Sequence, residues 1–142
     1  MFKIEAQDYG YKLIFSGTVN AAEIKRWLAV SEKILENQTS GFCLLIDTRG
    51  MEPFDNDTKV YMEKGQELFK EKGLERVAII IDNPAIKMQF KHIAIRIGTY
   101  GIERYINSAC DHNWEQMGID WLENANDPNT QSQKIQLSKL KF

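Results

Sequence analysis

Apolar residues follow two spacings along this chain, one typical of β-strands and the other typical of helices. Phe2 to Ala6 and Tyr11 to Phe15 are β-prone runs joined by a short turn in which Gly10 can adopt a positive φ, so together they predict a hairpin. The longer apolar runs that follow are continuous, which is typical of strands buried on both faces. The strands predicted after the hairpin are Phe42 to Ile46, Val77 to Ile81 and Glu103 to Ile106.

Four helices are predicted where apolar residues recur every three or four positions. Each one begins at side chains that can cap free backbone N–H groups, and the third also has proline at its first position. The first helix is predicted from about Ala21 to Asn37, the second ends near Gly73, and the third ends at Gly98. The predicted start signals are Asn20 with Glu23, Asp57, Asn83 with Pro84, and Ser108 with Asp111.

The predicted order of elements is β-β-α-β-α-β-α-β-α, which belongs to the α/β class. Strands that alternate with helices favour a mixed, mostly parallel sheet with helices packed on it and one antiparallel edge strand. Right-handed crossovers bring the loops that follow parallel strands to one end of such a sheet, where ligands bind in open α/β folds. We therefore expect binding residues in three loops, at positions 47–58, 82–87 and 106–111.

The chain has 142 residues and a net charge of −2, and 43% of its residues are hydrophobic. This length predicts a single domain with a sizeable core. The balanced charge argues against a general binder of phosphate backbones, so we predict no nucleic-acid partner. The apolar stretches are far shorter than a membrane span, and Met1 to Ile14 lacks the pattern of a signal peptide. We therefore predict a cytoplasmic protein that is not an integral membrane protein.

A change of composition after Asn124 separates a domain from a tail. Residues 125–133 are nearly all small or polar, whereas the nine residues that follow, K-I-Q-L-S-K-L-K-F, are basic and half apolar. We therefore predict a domain over residues 1–124, then a polar linker and a basic amphipathic tail over residues 125–142. The tail carries a net charge of +2 and the domain a net charge of −4. Because these charges are opposite, we predict that the tail docks across a homodimer.

The loops that follow the predicted buried strands hold the candidate binding residues. The helix from Pro84 to Ile97 carries Lys87, Lys91 and Arg96 but no acidic residue. Its N-terminus and Lys87 could attract a carboxylate or a phosphate, although a charged helix face is usually only solvated. The predicted ligand-binding residues are Asp47, Arg49, Asp57, Asn83 and Lys87.

Residue patterns typical of catalysis or of metal binding are not evident in the sequence. The spacing of Asp47, Asp55 and Asp57 does not match a calcium loop, and a strand end followed by a helix cap explains these residues better. Cys110 and His112 are two positions apart, and such residues do not face each other on a helix. We therefore predict no enzyme activity, no cofactor and no metal site.

The three tryptophans allow two interpretations. Trp27, Trp114 and Trp121 fall on predicted helices, and the last two share one helix face. They either pack in the core or line an apolar pocket, between the helices and the sheet, for a lipid-like or aromatic ligand. The sequence leaves both interpretations open.

Three stretches of the sequence carry a resemblance to a known family. L-L-I-D-T-R-G, G-L-E-R-V-A-I-I-I and N-W-E-Q-M-G-I-D-W-L, in the predicted order of elements, resemble the STAS-like group related to the sporulation anti-anti-sigma factor. The chain looks like that group's branch of short stand-alone bacterial proteins, and the resemblance covers about Phe2 to Leu122. It implies a non-enzymatic module that acts as a regulatory switch or binds a small ligand such as a lipid or an anion.

The resemblance also implies an alternative function, a protein-interaction switch controlled by phosphorylation. Anti-anti-sigma factors are phosphorylated on a serine at the start of a helix, but the matching serine positions here hold Asn56 and Asp57. Thr58 is the nearest hydroxyl and is therefore the candidate phosphorylation site. A helix N-terminus favours the charge of a phosphate, although Asp55 and Asp57 would repel it.

Overall fold

Five strands form one sheet in the computed structural model, which describes residues 1–129. The strands lie in the sheet in the order in which they occur along the chain. They are β1 (Phe2–Gln7), β2 (Gly10–Phe15), β3 (Phe42–Asp47), β4 (Leu74–Ile81) and β5 (Glu103–Asn107). The α-helices are α1 (Ala21–Ile34), α2 (Asn56–Glu71), α3 (Pro84–Ile97) and α4 (Trp114–Asn124), and a short 3₁₀ turn covers Tyr100–Ile102.

The sheet contains both strand directions. β1 and β2 are antiparallel, whereas β2, β3, β4 and β5 pair with one another in parallel. The predicted α/β class, with a mostly parallel sheet and one antiparallel edge strand, is therefore confirmed. We call the end of the sheet at which β2 to β5 finish the carboxyl edge.

Alternate residues of the central strands point to opposite faces of the sheet. Leu44 and Ile46 of β3 belong to the core under α1, α2 and α3, whereas Cys43 and Leu45 belong to a second core under α4. Every residue of β3 is buried, which confirms the prediction of a strand covered on both faces. The sheet thus lies between a layer of three helices and the single helix α4.

The predicted caps of α1 and α3 are confirmed. The side chain of Asn20 accepts a hydrogen bond from the backbone N–H of Glu23 at 2.9 Å. The side chain of Asn83 accepts one from the backbone N–H of Ala85 at 2.8 Å. Gly98 ends α3 with a φ of 85°, a left-handed conformation that glycine adopts at little cost.

The predicted starts of α2 and α4 are wrong. Asp55 caps α2 in place of Asp57, because Oδ1 of Asp55 accepts a hydrogen bond from the backbone N–H of Thr58 at 2.8 Å. Ser108 does not cap α4, because its backbone N–H and its Oγ both donate to the carbonyl of Ile81, at 2.9 Å and 3.3 Å, at the end of the sheet. α4 therefore begins further along the chain, without a side-chain cap.

Close packing of α1 against α2 depends on a glycine. A Cβ at Gly65 would overlap the six-membered ring of Trp27. That ring is almost fully buried, and its centroid lies 5.5 Å from that of Phe15 and 6.1 Å from that of Phe69. Trp27 therefore packs in the core, and Trp121 does so on the other face of the sheet.

The end of the described chain returns to the sheet. Asp127 follows α4 and forms an ion pair with Arg104 of β5 at 2.9 Å. The prediction that the tail docks across a homodimer concerns residues 130–142 and lies outside the described residues.

Among residues 1–129, no helix is both long enough and apolar enough to cross a membrane.

Candidate functional site

The carboxyl edge holds an arginine in a fixed orientation. Asp47 ends β3 and is only 3% exposed. Its carboxylate accepts hydrogen bonds from Nε of Arg49 at 3.0 Å, from Nη2 at 2.9 Å and from the backbone N–H of the same residue at 3.1 Å. This bidentate contact fixes the plane of the guanidinium as well as its position.

Trp114 supports the same guanidinium from α4. Cζ of Arg49 lies 4.1 Å from the ring centroid of Trp114, within the range of a cation–π contact. The side chain of Arg49 is 45% exposed, and among residues 1–129 no hydrogen-bond partner occupies its Nη1. The hydrogen bonds that Arg49 donates to Asp47 raise the pKa of Arg49, with smaller contributions from Glu115 and Asp82. Arg49 is therefore a permanently charged group with donors left for a ligand.

The loop that carries Arg49 is tied to the neighbouring strand. Oγ1 of Thr48 donates a hydrogen bond to the carbonyl of Ile80 at 2.6 Å. Oδ2 of Asp82 accepts one from the backbone N–H of Gly50 at 3.0 Å. These bonds bring Asp47 and Arg49 next to the loop that leads into α3, as the sequence predicted for the ends of parallel strands.

The remaining two candidates of this loop region lie at the start of α3. The side chain of Asn83 is engaged in capping the helix. Lys87 is exposed one turn further on, and its Nζ lies 5.8 Å from the ring centroid of Tyr105. Among residues 1–129, no hydrogen bond or ion pair joins Lys87 to Asp47 or Arg49.

Asp57 lies on the other face of the sheet from Trp114. It is exposed in the first turn of α2. With Lys25 and Tyr61 it lines a groove of about 240 Å³ between α1 and α2. The carboxyl edge therefore brings together Asp47 and Arg49, with Asn83 in the neighbouring loop, but it does not bring Asp57 into contact with them.

The candidate phosphorylation site is inaccessible in this conformation. Thr58 has no exposed surface, and its Oγ1 is buried without a hydrogen-bond partner. A kinase would reach this hydroxyl only after the first turn of α2 had opened. The burial of Thr58 therefore counts against the predicted phosphorylation switch.

A small cavity, lined mostly by apolar side chains but also by three polar ones, lies under α2 and α3 near the start of β5. Its volume is about 10 Å³, close to the space that one water molecule needs. Gln66, Thr99 and Glu103 line it and are all at least 94% buried. Nε2 of Gln66 and Oγ1 of Thr99 have no hydrogen-bond partner among the described residues. Such groups are costly to bury unless a water molecule satisfies them.

Glu103 is the ionisable member of this cavity. Its carboxylate accepts one hydrogen bond, from the hydroxyl of Tyr105 at 3.3 Å. Burial raises the pKa of Glu103 to about 8, and the bond from Tyr105 offsets only part of that effect. Burial also raises the pKa of Tyr105, with a further contribution from Glu103. Glu103 is therefore largely neutral at pH 7 in the folded chain.

The sequence did not single out three of the groups that shape these sites. Trp114 was considered for the core or a pocket, not as the partner of Arg49. Asp82 follows a predicted buried strand as Asp47 does, and this shared position is a signal that could have identified Asp82 as a site residue. Glu103 begins a predicted strand, but the sequence does not indicate that α3 covers this position.

Other reactive side chains are dispersed. His92 is exposed on α3. Cys43 is buried and Cys110 is exposed, and both are free. Residues 1–129 contain no group of three or more His, Cys, Asp and Glu side chains that could hold a metal ion.

The fold and the carboxyl edge define an α/β protein with a fixed, half-exposed arginine where its parallel strands end. No family model matches the sequence, and comparisons with curated proteins and with solved structures gave no match either. The resemblance to the STAS-like group therefore stays a prediction from the sequence.

Proposed function

We propose that this chain is a non-enzymatic, STAS-like regulatory module that binds a small anionic ligand at the carboxyl edge of its sheet. The observation that carries the proposal is the guanidinium of Arg49, held between Asp47 and Trp114. A side chain that is already fixed loses little conformational freedom when a ligand binds. The planar donors of arginine match a carboxylate or a phosphate.

The charges around Arg49 narrow the class of ligand. Asp82 and Glu115 lie near enough to Arg49 to contribute to its raised pKa, and they would repel a ligand with several negative charges. The half-buried ring of Trp114 offers apolar surface beside the charge. These features favour a ligand that has one negative charge and an apolar part, such as a fatty-acid carboxylate.

Replacing Arg49 with glutamine is expected to weaken binding of such a ligand by roughly tenfold or more, because a hydrogen bond to a charged group contributes about 1.5–3 kcal/mol. The measurement is a titration of the full chain with decanoate, followed in ¹H–¹⁵N correlation spectra. In the wild type we expect saturable shifts of the Gly50 backbone amide and of the Trp114 indole. Inorganic phosphate, which carries more charge, is expected to bind less tightly.

Arg26→Gln is the matched control for this titration. Arg26 is exposed on α1, so its replacement removes the same charge away from the carboxyl edge. We expect R26Q to bind decanoate as the wild type does. A wild type without saturable shifts, or an R49Q chain that binds as tightly as R26Q, would contradict the proposal.

A switch controlled by phosphorylation at Thr58 has weaker support, because the hydroxyl of that residue is buried. After incubation of the full chain with cell extract and ATP, we expect intact-mass analysis to find no phosphate on Thr58. Thr58→Val is the control that assigns any added phosphate to this residue. A stoichiometric phosphate present in the wild type and absent from T58V would favour the switch over the ligand-binding module.

A further inference from the structure

α3 and the turn that follows it expose three large apolar side chains. Met88 is 49% exposed, Ile95 is 56% exposed and Tyr100 is 45% exposed. Met88 and Ile95 are seven residues apart, so they point in nearly the same direction from the helix. Nζ of Lys91 lies 5.6 Å from the ring centroid of Tyr100, which places that ring beside the same surface. We call Lys87, Met88, Lys91, Ile95 and Tyr100 the α3 face.

The α3 face is basic in an acidic protein. Residues 83–102 contain three basic residues and no Asp or Glu, although the chain has a net charge of −2. Arg96 pairs with Glu63 of α2 at 3.0 Å, which offsets its charge. Lys87 and Lys91 contact the rings of Tyr105 and Tyr100 and have no acidic partner among residues 1–129. The two lysines therefore flank the apolar side chains with unbalanced positive charge.

The charge of the α3 face distinguishes it from another partly apolar surface. α1 exposes Val30 and Ile34, at 41% and 38%. However, α1 carries Glu23 and Glu32 together with its basic residues. An isolated exposed apolar residue needs no explanation, whereas exposed apolar residues beside unbalanced lysines combine the two contributions to membrane binding, apolar burial and attraction to anionic lipids.

We propose that the α3 face docks on the surface of an anionic lipid bilayer. Met88, Ile95 and Tyr100 enter the headgroup region, where their apolar groups leave water and the tyrosine hydroxyl stays hydrated. Lys87 and Lys91 lie at the level of the lipid phosphates, with their alkyl stems along the apolar side chains. This contact goes beyond the proposed function and uses a different surface from Arg49 and Trp114.

Co-sedimentation of the full chain with lipid vesicles tests the docking. We expect binding to vesicles of phosphatidylcholine mixed with phosphatidylglycerol, little binding to phosphatidylcholine alone, and weaker binding as salt is added. The double variant K87E/K91E is expected to lower the partition coefficient by about 25-fold or more, because each of the two lysines near an anionic surface contributes about fivefold. M88S/I95S is expected to lower it as well, because it removes the inserted apolar groups.

Two matched variants of α1 serve as controls. R26E/K33E reverses two exposed charges and V30S/I34S removes two exposed apolar side chains. Both are expected to bind vesicles as the wild type does. All of these variants keep the basic segment 134–142, so any vesicle binding through that segment is the same in each. R49Q is expected to bind vesicles normally, which separates this inference from the proposed ligand site.

Three outcomes would overturn the proposal. The first is a wild-type chain that does not sediment with anionic vesicles, as expected if the α3 face instead binds an acidic protein. The second is equal binding to charged and uncharged vesicles. The third is K87E/K91E binding as tightly as R26E/K33E, which would locate the contact elsewhere on the chain.

Discussion

Replacing Glu103 with glutamine is expected to raise the free energy of unfolding at pH 7 by roughly 3 kcal/mol. The carboxyl group is almost fully buried beside Gln66 and Thr99, where a charge is costly to hold. Glutamine has nearly the same shape and cannot ionise. It therefore removes the cost of taking up a proton at Glu103, which folding imposes at pH 7, without opening a larger cavity.

The same replacement is expected to change how stability depends on pH. Glu103 has a pKa of about 8 in the folded chain and an ordinary value of 4.5. Between these values the folded chain binds more protons at Glu103 than the unfolded chain does, so a rise in pH favours unfolding. The stability that neutral Glu103 contributes is thus fully present below about pH 4.5 and is lost as the pH rises towards 8.

Urea denaturation followed by circular dichroism from pH 5 to pH 8 measures this effect. The free energy of unfolding of the wild type is expected to fall over this range by several kcal/mol more than that of E103Q. Glu67→Gln, at an exposed position of α2, is the control and is expected to follow the wild type. Parallel curves for wild type and E103Q would show that Glu103 is already ionised in the folded chain.

Replacing Gly65 with alanine is expected to lower the free energy of unfolding by about 2 kcal/mol. Overpacking in a core costs about 1–3 kcal/mol, and the severe overlap of the added Cβ with the ring of Trp27 places this change at the upper end of that range. Alanine recovers up to about 1 kcal/mol because it favours a helix more than glycine does. The overlap is with buried ring atoms that cannot move aside, so we expect the loss to exceed this gain.

A double-mutant cycle with Trp27→Leu isolates the contact. W27L alone is expected to cost about 3 kcal/mol because it leaves a cavity, but it also makes space for a Cβ at position 65. The cost of W27L/G65A should therefore be smaller than the sum of the single costs by about 1 kcal/mol or more. Gly101→Ala, where an added Cβ meets no atom within 4 Å, is the control. Additive costs in the cycle would show that Gly65 is not required by Trp27.

Local sequence signals predicted the fold correctly where a residue type favours one structural role far above all others. Asn83, Pro84 and Gly98 fixed both ends of α3, since a cap, a first-position proline and a left-handed glycine have few alternatives. The apolar runs of β3 and β4 predicted burial on both faces for the same reason. These features depend on short stretches of chain, so tertiary contacts did not change them.

Prediction failed where neighbouring residues compete for the same role. Asp55 and Asp57 can each cap a helix, but α2 begins at Asn56, so Asp55 is the residue whose side chain accepts the hydrogen bond from the backbone N–H of Thr58. Ser108 is a good cap by type, but its backbone N–H and its hydroxyl both donate to the carbonyl of Ile81 on the neighbouring strand. At Ser108 a long-range contact with β4 thus decided against a locally acceptable start.

The binding site was predictable in part. The ends of parallel strands drew attention to Asp47 and Arg49, and these residues do form one cluster. Their contact with Trp114 depends on α4 packing on the opposite face of the sheet from α1 to α3, which the pattern of elements did not fix. The small cavity was missed because its polar residues are far apart in the sequence: Gln66 lies on α2, Thr99 in the turn after α3 and Glu103 on β5.

Native mass spectrometry tests whether the carboxyl edge binds a ligand in the cell. Freshly purified wild type and R49Q are measured side by side. We expect the wild type to retain a small molecule with one acidic group, which collisional activation releases and identifies. R49Q is expected to appear at the mass of the bare chain. A wild-type spectrum without added mass, or an R49Q chain that retains the same molecule, would contradict ligand binding at Arg49.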